Sequence, residues 1–310
     1  MFYAGAGNGL AAARSDRISL YTSSGKCTAS ENIDLISPIC VGSPLLGAYY
    51  DPGAPGLHTL YPDGAHRFTD TDGSVDFVDV NETGLVTVIL EKGDSFGTVM
   101  VYDTDLTPLF RWDTGRGIPL IGRTCGDDRL CVSSITRESS QLHFFRIDQP
   151  QEQTQLSFPG EILLDMDFLS DGTLAAVLES RLILVDPDGQ LISSTEYNGR
   201  HLQAWSLNGS FAAVATVSGL GGGSGTITAV ASDGQILGSE SVPLHVGALS
   251  GEKDELLVLF DGGEATLYDR TMEPLVSYQP EKDVDQVFLT PNGMAFFAGP
   301  SGVTLVDFSR

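Results

Sequence analysis

One feature limits what this chain can become more than any other. A short apolar run ending in an aromatic residue or Val, followed by a turn, returns about every forty residues. Its copies are RISLYTSSG, LHTLYPDG, TVMVYDTDL, QLHFFRIDQ, RLILVDPDG, TITAVASDG, EATLYDRTM and VTLVDF, anchored at Tyr21, Tyr61, Tyr102, Phe145, Val185, Val230, Tyr268 and Val306. Successive anchors lie 40, 41, 43, 40, 45, 38 and 38 residues apart. Runs of this length bounded by Gly, Asp, Asn and Pro read as strands. A period of about forty residues holds four strands of five or six residues with their turns. One such sheet cannot bury both of its faces alone, so repeated units must stack on one another.

The other columns of the repeat agree. First strands read SVDFVDV, LLDMDFL, HLQAWSL, VGALS and VDQVFLT, and second strands read LLGAYY, LVTVIL, LAAVL, FAAVATV, LLVLF and MAFFAG. The second strands are almost wholly apolar, the pattern of strands covered on both faces. Fourth strands (AHRFTD, PLFRW, QLISST, QILGSES, PLVSYQ) are more polar and suit an outer edge. No helical periodicity competes with this pattern, and no linker or change of composition divides the chain. The expectation is an all-β propeller of four-stranded blades forming a single domain over residues 1–310, with eight blades and seven as the alternative. Seven units are complete if MFYAGA supplies the first strand of the opening unit, and the eighth ends after its third strand. In the alternative arrangement MFYAGA crosses over and leaves the first unit short.

With 41 acidic against 17 basic residues the formal charge is -24. That balance argues against nucleic-acid binding, which draws its affinity from a basic footprint, and against adsorption to an anionic membrane surface. The N-terminal stretch MFYAGAGNGLAAAR has no basic n-region and no sustained apolar core, so it is not read as a signal peptide. No run of apolar residues approaches the length that crosses a bilayer. The four cysteines, Cys27, Cys40, Cys125 and Cys131, form no C-x-x-C pair. Cys125 and Cys131 flank Gly-Asp-Asp-Arg and are a candidate disulfide across a hairpin, against the plainer reading of two small apolar strand residues.

With the repeats in hand, the chain resembles the superfamily of quinoprotein-like and YVTN-like propellers. The turns Asp63-Gly64, Asp188-Gly189 and Asp233-Gly234, with Ser24-Gly25 as a weaker relative, carry the resemblance. It is also similar to an uncharacterised family of bacterial envelope propellers in which one transmembrane helix precedes the ring. The segment SLNGSFAAVATVSGLGGGSGTITAVASDGQ is the nearest echo of that family's unit. This resemblance implies a propeller and an extracytoplasmic location, anchored through a segment outside this chain, with a cytoplasmic location as the alternative. It implies no activity, since function belongs to sites and not to folds.

Candidate sites compete with plainer readings. Residues 219–226 (GLGGGSGT) suggest a phosphate loop, but no Lys and no helix follow, so an elongated hairpin is expected. Asp70-Thr71-Asp72-Gly73, Asp127-Asp128 and Asp186-Pro187-Asp188-Gly189 raise calcium as the one candidate cofactor. The Asp70 loop has Ser74 at its fifth position and lacks the closing Glu of an EF-hand, and Asp-Gly is also standard turn chemistry. Ser23-Ser24-Gly25-Lys26 matches a bare Ser-x-x-Lys but falls in a turn, where the catalytic motif needs a helix. The five histidines (His58, His66, His143, His201, His245) are scattered over different units. Trp112 and Trp205 occupy different columns, unlike the recurring Trp of quinone-dependent dehydrogenases, and Trp112 is assigned to packing.

The remaining candidate follows from the fold. First strands line a propeller's axis, so polar residues on or near them form a candidate binding mouth. These are Asp76, Asp79, Arg123, Asp165, Asp167, Gln203, Asp285 and Gln286, with ordinary strand alternation as the competing account. The functional expectation is a monomeric, non-catalytic binding or scaffolding domain for a protein or small-molecule ligand. The alternative is a propeller enzyme acting on carbohydrate or using a quinone, with its site at the same mouth.

Overall fold

Strands bounded by turns, repeated about every forty residues, are what the chain forms. The structure, a computed structural model, describes residues 1–93, 96–207, 209–219, 224–243, 245–281 and 283–308. Among the described residues thirty-one strands make eight sheets, in which every neighbouring pair is antiparallel. Among the described residues no helix is long and apolar enough to cross a membrane.

Residues Met1–Gly160 and Glu161–Arg310 are two compact units of four sheets each. In the first unit, blade 1 is β1 (Phe2–Ala6), β2 (Gly9–Arg14), β3 (Arg17–Tyr21) and β4 (Cys27–Glu31). Blade 2 is β5 (Ile39–Gly42), β6 (Gly47–Tyr50), β7 (Leu57–Leu60) and β8 (His66–Thr69). Blade 3 is β9 (Ser74–Val80), β10 (Val86–Glu91), β11 (Thr98–Tyr102) and β12 (Pro108–Asp113). Blade 4 is β13 (Ile118–Cys125), β14 (Arg129–Ile135), β15 (Ser139–Arg146) and β16 (Gln149–Pro159).

In the second unit, blade 5 is β17 (Leu163–Phe168), β18 (Leu174–Leu178), β19 (Arg181–Val185) and β20 (Leu191–Glu196). Blade 6 is β21 (His201–Ser206), β22 (Phe211–Val217), β23 (Gly225–Ala231) and β24 (Ile236–Val242). Blade 7 is β25 (Val246–Glu252), β26 (Glu255–Phe260), β27 (Ala265–Asp269) and β28 (Pro274–Tyr278). Blade 8 has three strands, β29 (Gln286–Leu289), β30 (Met294–Gly299) and β31 (Gly302–Asp307). The count is eight and not seven. MFYAGA pairs with β2 inside blade 1, Tyr3 opposite Ala12, so the crossover arrangement does not occur.

Each unit buries its apolar residues as layers between consecutive blades. In the first unit Ala11, Ala13, Ile18 and Leu20 of blade 1 meet Cys40, Tyr49 and Leu60 of blade 2. Leu46 and Leu57 meet Val78 and Val88, and Ile89 and Val101 meet Leu130 and Phe145. In the second unit the corresponding layers pair Val177 with Val214, Phe211 with Val258, and Leu267 with Phe297. The second strands β10, β18 and β22 are buried along nearly their whole length, as their unbroken apolar sequences require.

The turns before the fourth strands show why Asp-Gly recurs. Gly25, Gly64, Gly189 and Gly234 have φ of 75°, 91°, 82° and 87°. A side chain is disfavoured in this region and Gly is not. The preceding acids cap these turns: Asp63 Oδ1 accepts the Ala65 amide, and Asp186 Oδ1 accepts the amides of Asp188 and Gln190. Asp186-Pro187-Asp188-Gly189 is thereby a turn. Ser23-Ser24-Gly25-Lys26 is one as well, closed by the Gly25 amide on the Thr22 carbonyl at 2.9 Å. Asp72 pairs with Lys92 at 2.5 Å, and Asp128 pairs with Arg146. Of the Gly-rich segment, residues 220–223 lie outside the described residues.

Candidate functional site

The first strands carry polar side chains that meet in pairs, each pair joining one blade to the next. In the first unit, Asp79 of β9 forms an ion pair with Arg123 of β13, the side chains being 14% and 19% exposed. The Arg123 guanidinium also lies 5.6 Å from the centre of the Phe77 ring, within cation–π range. Asp76, further along β9, is exposed. Its carboxyl is pushed up, by the loss of water around it first and by Glu91 second.

In the second unit, Asp165 of β17 receives the indole Nε1–H of Trp205 on β21 at 2.8 Å through Oδ2. Its Oδ1 accepts the Met166 amide at 2.8 Å. Gln203 of β21 and His245, just before β25, approach at 2.5 Å through Nε2 and Nδ1. Asp167 accepts the amide of Phe168 at 2.8 Å. Asp285 and Gln286 stand exposed at the start of blade 8. Of the eight predicted residues, Asp79 and Arg123 pair within the first unit, Asp165 and Gln203 take partners within the second, Asp167 accepts a neighbouring amide, and Asp76, Asp285 and Gln286 are exposed.

Two of these partners, Trp205 and His245, were not among the predicted site residues. A usable signal was present. Asp79 and Arg123 are 44 positions apart, Asp165 and Trp205 40, and Gln203 and His245 42. Each separation is one repeat, so overlaying consecutive units brings the partners into neighbouring columns.

A polar group in blade 4, centred on the buried Ser134 and His143, was also missed. The Ser134 hydroxyl lies 2.8 Å from His143 Nε2, and His143 Nδ1 lies 3.1 Å from Glu152 Oε1. The order Ser–His–Glu is that of a nucleophilic triad. Ser134 is only 1% exposed, and the Trp112 ring lies 4.9 Å from the imidazole. With its hydroxyl sealed inside the sheet, the group satisfies buried donors and acceptors and offers no approach to an acyl substrate. Trp112 packs on Phe145 as well, at 4.9 Å, in the packing role expected of it. Cys131 pairs in register with Arg123, and Cys125 with Arg129. The two cysteines are therefore diagonal on one face, a spacing of about 7–8 Å between Cα atoms that lies at the outer limit for a disulfide. Cys131 is buried, and burial pushes its thiol well up.

The Asp165–Trp205 contact makes a direct prediction. Trp205→Phe keeps an aromatic ring but removes the N–H that the carboxylate accepts. Hydrogen bonds to charged groups contribute about 1.5–3 kcal/mol, and partial exposure of this one lowers the expected loss to about 1–2 kcal/mol. Urea denaturation of the variant checks it, and a double-mutant cycle with Asp165→Ala isolates the coupling. A coupling near zero would show that the bond does not hold blades 5 and 6 together.

Eight antiparallel sheets, with period-spaced ties between first strands of consecutive blades, define a β-propeller. Within that class the chain belongs to the family described as "Family of unknown function (DUF5711)", which matches residues 2–299. No curated protein matches it. Among solved structures it is similar to Sqt1 of Saccharomyces cerevisiae, at 12% identity and a TM-score of 0.70, over 100% of this chain and 95% of that one. It is similar to BamB from Moraxella catarrhalis at 15% identity and a TM-score of 0.65, over 99% and 94% of the two chains. A third likeness is to the quinohemoprotein alcohol dehydrogenase ADHIIG from Pseudomonas putida HK5, at 10% identity and a TM-score of 0.61, over 98% and 70%. At these identities the likeness is one of fold.

Proposed function

We propose that the chain is a non-catalytic binding or scaffolding propeller that works at a bacterial cell envelope. The observation that carries the binding role is the engagement of the first-strand polar groups with one another across blade borders. Asp79 faces a guanidinium, and both oxygens of Asp165 accept N–H groups. Within each unit the pairing fixes polar groups beside a half-buried ring, Phe77 in the first and Trp205 in the second, a combination suited to recognition. The envelope location rests on the resemblance to bacterial envelope propellers carried by the segment SLNGSFAAVATVSGLGGGSGTITAVASDGQ.

The test uses the full chain in the cell that produces it. Chemical crosslinking followed by mass spectrometry is run on wild type and on Arg123→Ala and Trp205→Ala, each checked for native circular dichroism. The expected result is a partner recovered from the membrane-associated fraction and reduced at least tenfold by one of the two variants. Recovery in the cytosol alone would overturn the envelope half. An unchanged partner set in both folded variants, or turnover of a glycoside or alcohol substrate that Asp79→Asn abolishes, would overturn the binding role.

A further inference from the structure

The first blade presents two unlike faces. One is apolar and buried against Cys40, Tyr49 and Leu60 of blade 2. Register fixes the other: Tyr3 stands opposite Ala12, Ala12 opposite Ser19, and Ser19 opposite Ser30. Two residues further toward the β2–β3 turn, Arg14 stands directly opposite Arg17. Small side chains in the middle and long ones around them leave a concavity of about 210 Å³. Ala12 and Ser19 lie at its base, with Arg14, Arg17 and Tyr21 around it.

The charges of this concavity run against the rest of the molecule. In a chain of 41 acidic and 17 basic residues, arginines meet carboxylates readily. Arg67 pairs with Asp105, Arg111 with Asp113, Arg181 with Glu161 and Arg270 with Asp254. Among the described residues neither Arg14 nor Arg17 makes such a pair. Arg14 Nε points at Met1 Sδ at 3.5 Å, and Arg17 Nε donates to Asn32 Oδ1 at 3.2 Å. Asp16 also borders the concavity but sits exposed in the turn. Glu31 is opposite Ile18, on the other face of the sheet. Like charges directly opposite each other destabilise a strand pair, and a bound anion would relieve that repulsion.

We propose that this concavity binds a phosphate group, free or carried on a larger molecule. Two guanidiniums facing each other match a tetrahedral dianion better than a single carboxylate. Each guanidinium can offer paired N–H donors, and the Ser19 and Tyr21 hydroxyls supply further ones.

Inorganic phosphate is the probe, titrated against the full chain at constant ionic strength, with the thermal midpoint as readout. A ligand that binds the native state raises the midpoint with its concentration. At about ten times the half-saturating concentration the rise is expected to be roughly 3 °C. Acetate at equal ionic strength leaves the midpoint unchanged. Arg14→Ala/Arg17→Ala removes the response, and its midpoint without phosphate is equal to wild type or slightly higher, because the repulsion is gone. Arg137→Ala, an exposed arginine elsewhere, keeps the response. No saturable rise in wild type, an equal rise in the double variant, or an equal rise with acetate would each overturn the proposal.

Discussion

Phe211→Ala is expected to destabilise the protein by about 3–5 kcal/mol, the range for deleting a fully buried aromatic side chain. Phe211 opens β22 and is 1% exposed, in the layer that blades 6 and 7 share. The cost belongs near the upper end of the range because of its neighbours. Ala204, Ala213, Ala215 and Ala229 line the same layer, and a methyl group cannot swing to refill a vacated ring. Where surroundings cannot collapse, the cavity persists and adds its own penalty. Phe211→Leu retains much of the volume and is expected to cost about 1–2 kcal/mol. Urea denaturation at constant m-value is the measurement. A loss below about 1 kcal/mol for the alanine variant would mean that the blades repack around the gap and that the layer is less rigid than its burial indicates.

This layer also shows what the sequence made legible. FAAVATV announces a strand with no polar face, and that pattern has one economical use, burial between two sheets. The third-strand anchors and the Asp-Gly turns are similarly local: a hydrophobic run followed by a residue at positive φ is encoded within ten positions. Strand order and blade count followed from such local signals, including the placement of MFYAGA in blade 1 and the three strands described for blade 8.

The polar ties were less legible because their partners sit a full repeat away. Asp165 reads as one more strand acid until Trp205, forty positions on, is laid beside it. Further contacts obey the same period. The Ser206 hydroxyl accepts the Gly251 amide 45 positions on, and the Ser250 hydroxyl accepts the Leu289 amide 39 positions on. Chemistry-bearing motifs are usually sought as neighbours in sequence. In a repeat protein the neighbour in space is the equivalent column of the next unit. Ser134, His143 and Glu152 escaped for another reason: three successive strands of blade 4 brought them together, and the burial of Ser134 and His143, which only packing reveals, decided that they do not form an accessible site. Arg14 and Arg17 stand three positions apart around a turn with no motif at all, and only the register sets them face to face.

Close docking of blades makes the second large prediction, at Gly238. This residue lies on β24, the outer strand of blade 6, against the turn between β27 and β28 of blade 7. A Cβ placed there would stand 2.0 Å from the Thr271 carbonyl oxygen and 2.4 Å from its carbon. These are backbone atoms, so no rotamer change relieves the clash. The turn is itself held firmly. Asp269 Oδ1 accepts the Thr271 amide at 2.9 Å and its hydroxyl at 2.7 Å, and Met272 follows with φ of 66°. The outer strand and the turn must therefore separate. Gly238→Ala, the smallest substitution available, is expected to cost about 3 kcal/mol, at the upper end of the range for overpacked positions. Gly262→Ala is the control, since its added Cβ meets nothing within 4 Å. That variant is expected to stay within about 0.5 kcal/mol of wild type. The difference between the two alanines, read from paired urea melts, measures how rigidly blade 7 is seated on blade 6. Equal stabilities would show that the approach of β24 to the Thr271 turn relaxes freely and that the two blades are held by their shared apolar layer alone.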